Sequence, residues 1–291
     1  MHPDIFFTSK YLELFQSTAF GGQPDGFYAY GIDYCFYRRP IEGTDYCDIV
    51  SPYGYSGPIA IHDDADWLHF LIAFDKFCRE EGIIAEFARL HPYLENHKQL
   101  ESDCALFSQD VIYIDLTQTE EQIWKGFDKG CKSAVKKTCN LPHPIAFRPL
   151  YEQTMQRIGV EREYLFTKSF WDKLNGFGIE YSAPGAMAVF LCHKPYIHYF
   201  LSASDIGGNV NLLIWNAIKA FKALSYSILN LGGGLKAGDS LESFKRSFSR
   251  TTKPFYIYKK IHNREVYAIL CKEKGVDSKN EGYFPAYRRP R

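Results

Sequence analysis

The pattern that most limits the fold of this chain is an alternation of strand-like and helix-like segments that runs through it twice. From Val111 a compact apolar strand (Val111 to Leu116) leads into a helix, a hairpin, a second helix and another strand, and the residues before it show the same order in looser form. Such alternation selects a mixed α/β architecture, because each helix must bury its apolar stripe against a sheet. A length of 291 residues exceeds one ordinary domain. The reading is two duplicated domains, 1–110 and 111–291, divided after a polar stretch rich in Glu, Asn and Lys.

In the first half, Ser9 to Phe20 reads as a short helix stopped by Gly21-Gly22, and the alternating aromatics of Gly26 to Pro40 as a hairpin. Ser51-Pro52-Tyr53-Gly54-Tyr55-Ser56-Gly57-Pro58 breaks regular structure and makes a shaped loop that offers Tyr53 and Tyr55 to a ligand or to packing. Asp64 to Gly82 carries Trp67, Leu68, Leu71, Phe74, Phe77 and Cys78 at helical spacing. Ile83 to Leu90 returns to a strand and ends in Arg89-Leu90-His91-Pro92.

In the second half, Thr117-Gln118-Thr119-Glu120 is a capping box that opens a helix whose apolar stripe is Trp124, Phe127, Cys131, Ala134 and Val135. Along it Lys125, Lys129, Lys132 and Lys136 share a face, which is either solvated or tracks phosphates. Ile145 to Pro149 reads as a strand, Tyr151 to Gly176 as largely helical, and Ala186 to Cys192 with Tyr196 to Ala203 as a hairpin. Val210 to Leu224 is apolar on nearly every side and is expected to be a buried helix, with Gly207-Gly208-Asn209 at its start, where an anion could bind or the chain simply turns. Ser227 to Leu231 forms a strand into Gly232-Gly233-Gly234, followed by a helix capped by Asp239 or Ser240. Pro254 to Tyr258 and Glu265 to Leu270 read as a closing hairpin, and the end bearing Arg288, Arg289 and Arg291 as frayed.

Lys plus Arg and Asp plus Glu are equal at 34, so no global charge draws the chain to DNA or an anionic membrane. The start lacks a signal-peptide pattern and no stretch is long and apolar enough to span a bilayer, so a cytoplasmic location is expected. The eight cysteines are scattered without metal-ligand spacing and are expected to be reduced thiols, with no metal site. Aromatics at 16% supply core, and hydroxyl-tipped rings for a groove.

The order of these segments resembles the FemAB-like transferases, the peptidoglycan-bridge aminoacyltransferases and their relatives. The residues that carry the resemblance are the loop from Ser51 to Pro58, Arg89-Leu90-His91-Pro92, Ile112-Tyr113-Ile114-Asp115-Leu116 before the lysine-rich helix, Asn211 to Ile218, Asn230-Leu231-Gly232-Gly233-Gly234 and Asp239 to Lys245. The resemblance implies two tandem GNAT-like (acyl-CoA N-acyltransferase) domains. It also implies transfer of an amino acid from aminoacyl-tRNA, or of an acyl group from coenzyme A, onto an amine of a peptidoglycan-type precursor. In the resembled ligases a Phe-Lys pair on a late helix places a cation beside the reacting ester, and Phe244-Lys245 matches it.

Acyl transfer to an amine needs a neutral amine and a place for the developing oxyanion, not a protein nucleophile. The chain has no Gly-x-Ser-x-Gly elbow, so direct attack is expected, with Lys245 and Phe244 as catalytic candidates and Asp115 as a base or a turn residue. Tyr53, Tyr55, Arg89 and His91 would hold an anionic acceptor, nucleotide-linked or lipid-linked. Lys129, Lys132 and Lys136 would meet the donor if it is tRNA, and Gly207, Gly208 and Asn209 the pyrophosphate if it is acyl-CoA, with no tightly bound cofactor in either case. One alternative is a coenzyme A-dependent N-acyltransferase acting on an amino sugar or other small amine. Another, of a different class, is a non-catalytic RNA-binding protein using the lysine helix.

Overall fold

The computed structural model describes residues 3–160, 164–236, 238–279 and 282–289. Arg291, part of the expected frayed end, lies outside them. The architecture is mixed α/β, and the chain divides into two compact units: 6–108 with 255–291, and 3–5 with 109–254.

In the first unit, β1 (Gln23–Ala29) and β2 (Ile32–Pro40) form the expected hairpin, and β3 (Cys47–Val50) pairs antiparallel with β2. The helix α2 (Trp67–Glu80) then carries the chain to β5 (Ile83–Arg89), which lies parallel to β3. A two-residue strand β4 (Ile59–Ala60) pairs with β2. Asp66 caps α2 by accepting from His69 N–H. Phe70, Phe74 and Cys78 of α2 bury against Tyr34, Phe36, Ile49 and Ala88. Ile84 and Ala85 of β5 belong to a second cluster with Tyr267, Leu270 and Cys271 of α9 (Arg264–Lys274). A strand buried on both faces must sit between two covers, and the buried Glu86 in its middle is met by His262.

The second unit repeats the plan. β7 (Ile179–Ala183), β8 (Ala186–His193) and β9 (Tyr196–Ser204) are an antiparallel meander, and α7 (Val210–Ala223) crosses to β10 (Ile228–Gly232), parallel to β9. Both crossing helices, α2 and α7, are 14 residues long. Leu213, Ile214, Ala217, Ile218 and Phe221 of α7 pack on Ile112, Ile114, Phe190, Ile197 and Leu229.

The duplication is completed by an exchange of strands. β6 (Ala105–Asp115) follows β5 in sequence but pairs antiparallel with β10, whereas β11 (Thr252–Ile261) follows the second unit and pairs antiparallel with β5. Residues 255–279 and 282–289 therefore group with the first unit.

Four local expectations change. The helix expected through Lys136 is two, α3 (Glu120–Gly126) and α4 (Lys129–Lys136), because Phe127 is extended and Asp128 caps a new turn by accepting from Cys131 N–H. Phe147 to Ile158 is helix α5, so the strand expected from Ile145 to Pro149 is not formed; its apolar residues cover the sheet helically through Phe147, Leu150 and Tyr151. α6 (Lys168–Leu174) follows it. Glu265 to Leu270 lies in α9, with Asn263 capping and Gly275 at φ +71° ending it, so no closing hairpin forms. Arg288 is not frayed: its guanidinium meets the buried Asp48 carboxylate at 2.5 Å.

Candidate active site around Lys245

The helix α8 (Ser240–Arg246) is short and set by its caps. Asp239 accepts from Glu242 N–H at its start, and with its other oxygen from the N–H groups of Leu235 and Lys236, tying the preceding loop to the helix. Glu242 reaches back to Gly238 N–H and forward to Arg246, as a first-turn carboxylate should. Phe244 packs on the core with its ring 5.3 Å from that of Phe248, and this fixes the rotation of the helix. The next residue, Lys245, is turned inward and is only 8% exposed.

What Lys245 meets is the glycine turn at the end of β10. Its Nζ donates to Gly233 O at 2.6 Å. Gly232 has φ +75°, a conformation that excludes most side chains, and a Cβ added there would lie 3.2 Å from Lys245 Nζ. Burial pushes the Lys245 ammonium down to about 8 from 10.5, with the charge of Asp239 opposing. Among the described residues no carboxylate lies within ion-pair distance of it. One of its three N–H groups is taken by Gly233. A buried cation facing backbone carbonyls, with a depressed pKa, is suited to stabilising a developing oxyanion and to releasing a proton near neutral pH.

Asp115 is placed apart from it. Asp115 pairs with Ile228 and Ile112 with Gly232, so Asp115 sits at the opposite end of β10, roughly 13 Å of strand away. Its carboxylate accepts from Thr117 N–H and Oγ1 and from Gln118, and these bonds outweigh burial and hold it below the usual range. It is a turn residue, not a base beside Lys245.

Lys129, Lys132 and Lys136 remain on one face of α4, with Lys132 donating to Lys125 O and Lys136 lying 5.7 Å over the Trp124 ring. Lys125, on α3, pairs instead with Glu121. At the start of α7, Asn209 caps Leu212 N–H while its own amide donates to Ala134 O and Lys137 O. The N–H groups of Gly208, Asn209 and Val210 are donated to Asp205 O, Pro184 O and Gly208 O. A Cβ on Gly208 would lie 2.0 Å from Gly185 O, so that glycine serves close backbone packing. Gly208, Asn209 and Val210 thus spend their N–H groups holding the helix start together, and Gly207, at φ +85°, lies in the turn before them.

In the first unit, Tyr53, Tyr55 and His91 share one aromatic neighbourhood. Tyr55 lies edge-on to His91 at 5.3 Å and to Phe255 at 5.6 Å, and Tyr53 packs on Phe15 and Phe20. His91 is fully buried, and its Nδ1 accepts from the N–H groups of Tyr93 and Leu94, which shapes the turn after β5. Arg89 lies 5.1 Å over the Phe87 ring.

Two buried polar residues beside the glycine turn, His198 and Asn230, escaped sequence reasoning. Strand periodicity gives no reason to single out one polar residue in a buried strand, and only the register of β9 on β10 brings these two side by side.

Neither a family model nor a curated protein matches the sequence. Solved structures do. The similarity to FemX extends over 92% of this chain and 95% of that one, with a TM-score of 0.65 at 10% identity. The chain shares the fold of FemX. The C-terminal domain of a putative lysylphosphatidylglycerol synthetase from Agrobacterium fabrum has a TM-score of 0.51 at 12% identity over 86% of this chain and 88% of its own. The L-PGS from Bacillus licheniformis has the same score at 13% identity over 94% and 98%. The expected resemblance to the FemAB-like group is borne out at the level of fold. No helix among the described residues is long and apolar enough to cross a membrane.

Proposed function

We propose that this protein is an acyl or aminoacyl transferase that acts by direct attack of an amine of a cell-envelope, peptidoglycan-type precursor, with Lys245 as the catalytic cation. The observation that carries the reading is the buried Lys245 ammonium, second member of a Phe-Lys pair, held at 2.6 Å on the glycine turn without a carboxylate partner among the described residues. Burying an unpaired charge is costly, and a chain keeps such a group where chemistry uses it. The FemX-like fold supports the same class.

In this reading the acceptor amine attacks the acyl carbonyl, and the C–N bond forms as electrons move onto the carbonyl oxygen. That oxygen accepts from Lys245 Nζ. Collapse breaks the bond to the donor's leaving oxygen or sulfur, which takes a proton as the amine gives one up. Aminoacyl-tRNA is favoured over acyl-CoA as donor, because Gly208, Asn209 and Val210 already use their N–H groups internally and α4 presents a lysine face. Tyr53, Tyr55, Arg89 and His91 remain the proposed acceptor contacts, and the site of action is the cytoplasm.

The test incubates the protein with charged tRNA or acyl-CoA, and with a nucleotide-linked peptidoglycan precursor, a lipid-linked one or an amino sugar, and follows the acceptor's mass. A mass gain that disappears in Lys245→Met supports the reading. Absence of any gain with both donors overturns it, and a gain retained in Lys245→Met removes Lys245 from the mechanism.

A further inference from the structure

The glycine turn that holds Lys245 is itself tied to a buried chain of polar side chains. His198 on β9 and Asn230 on β10 are direct neighbours in the parallel ladder, and both are buried, as is Asp4. Ile5 N–H donates to Asp4 Oδ1 at 2.6 Å, and Asp4 Oδ2 lies 2.7 Å from His198 Nε2. His198 Nδ1 lies 3.2 Å from Asn230 Nδ2, and Asn230 Oδ1 accepts from Gly232 N–H at 2.9 Å. The ladder to β6 shifts register between Asn230 and Gly232, so this last bond closes a bulge.

The direction of every bond follows from its two ends. Gly232 N–H can only donate, so the oxygen of Asn230 faces it and the amide NH2 faces His198. His198 Nδ1 is therefore the acceptor, and Nε2 carries the proton that goes to Asp4. A carboxylate at one end thus sets which way an amide points at the other. That amide fixes Gly232, and the next residue, Gly233, holds Lys245 Nζ.

We propose that Asp4, His198 and Asn230 are positioning residues that lock the Gly232–Gly233 bulge and through it set the place of the Lys245 ammonium. The proposal rests on the reading of Lys245 as the cation of the transfer. None of the three touches the reacting atoms; they act through the turn. The logic predicts an isosteric failure and an isosteric rescue. In Asp4→Asn, Ile5 N–H still requires an oxygen, so the new NH2 faces His198 Nε2. The imidazole proton then moves to Nδ1, Asn230 must turn its oxygen to it, and Gly232 N–H loses its acceptor. Adding Asn230→Asp restores an oxygen to both sides.

The test follows the titration of the Lys245 side chain by carbon NMR of lysine-labelled protein, with the resonance assigned by its loss in Lys245→Met. In Asp4→Asn the midpoint is expected to rise by about one unit or more as the released turn lets water reach the ammonium. In the double variant Asp4→Asn, Asn230→Asp it is expected to return to the wild-type value. An unchanged midpoint in a cooperatively melting Asp4→Asn protein, or no return in the double variant, overturns the relay. Should Asp4→Asn not fold, Asn230→Leu, which removes both bonds of the amide and leaves Asp4 and His198 paired, carries the same expectation. Loss of the fold in both variants also overturns the proposal, assigning the chain to folding alone. The measurement needs no donor or acceptor. A protein without transfer activity whose Lys245 responds keeps the relay and sinks the transferase reading, and an active enzyme whose Lys245 does not respond does the reverse.

Discussion

Each unit of this protein draws a lysine inward, Lys260 half-buried and Lys245 buried, and the two are handled in opposite ways. Lys260, on β11 in the first unit, lies 2.8 Å from Asp75 and 2.6 Å from Glu101, and His262 next to it meets Asp75 at 3.4 Å and Glu86 at 3.1 Å. Burial alone would lower both cations, but their carboxylate partners outweigh it, so Lys260 is held above its ordinary value and His262 is pushed up to about 11. Lys245 in the second unit has a carbonyl for a partner, and burial pushes it down to about 8. The first cluster is neutralised and serves the fold. The second has no such partner among the described residues, and under the proposed function the difference separates a structural cation from a chemical one.

The same substitution at the two positions breaks the comparison most directly. Lys245→Met is expected to lower transfer about a hundred- to a thousandfold, the scale for removing one oxyanion donor, in an assay of acceptor mass. Lys260→Met is expected to lower stability by about 2–3 kcal/mol in denaturant melts. That is less than a fully buried pair would lose, because Asp75 and Glu101 are each more than a third exposed. A Lys260 variant as stable as the wild type would deny the cluster its structural role.

For stability at Lys245 the sign reverses. Its folded value, about 8, lies below the unfolded 10.5, so the unfolded chain holds the proton more tightly and the buried charge opposes folding at neutral pH. Lys245→Met should therefore raise stability, on the order of 2 kcal/mol near pH 7. The penalty is fully present below about pH 8 and is relieved as the pH rises toward 10.5, so the gain of the variant should shrink over that window. Melts of both proteins at pH values across it decide the matter. A gain that is constant with pH would mean that Met packs better, not that a charge was removed.

The repeat and most of its elements were legible in the sequence because they rest on local periodicity: the stripes of α2 and α7, the alternation of β1 and β2, and the Asp239 cap of α8. The exchange of β6 and β11 was not, since no residue within either strand records which unit it completes. Glu265 to Leu270 misled because a short apolar run reads as a strand, whereas the Asn263 cap and Gly275 stop were the better signal. Phe244-Lys245 was found by resemblance; the burial of Lys245 follows from Phe244 and Phe248 fixing the turn of α8. His198 and Asn230 needed the parallel register, a long-range property.

The lysine row of α4 marks the weak end of the comparison, where cations meet neither burial nor carboxylates. Asp128 interrupts the expected helix, so Lys125 leaves the row and three lysines remain on one short face, Lys129 and Lys136 exposed and Lys132 half-buried. Exposed charges contribute little to stability, so Lys129→Glu, Lys132→Glu and Lys136→Glu together should leave the melt within about 1 kcal/mol of wild type. If the face tracks a phosphate backbone, the triple variant should bind tRNA more weakly and with a shallower dependence on salt, since each neutralised phosphate adds about one unit to the slope of log affinity against log salt. Equal affinity and slope in the two proteins would make the row a solvated face, and would turn the choice of donor back toward acyl-CoA.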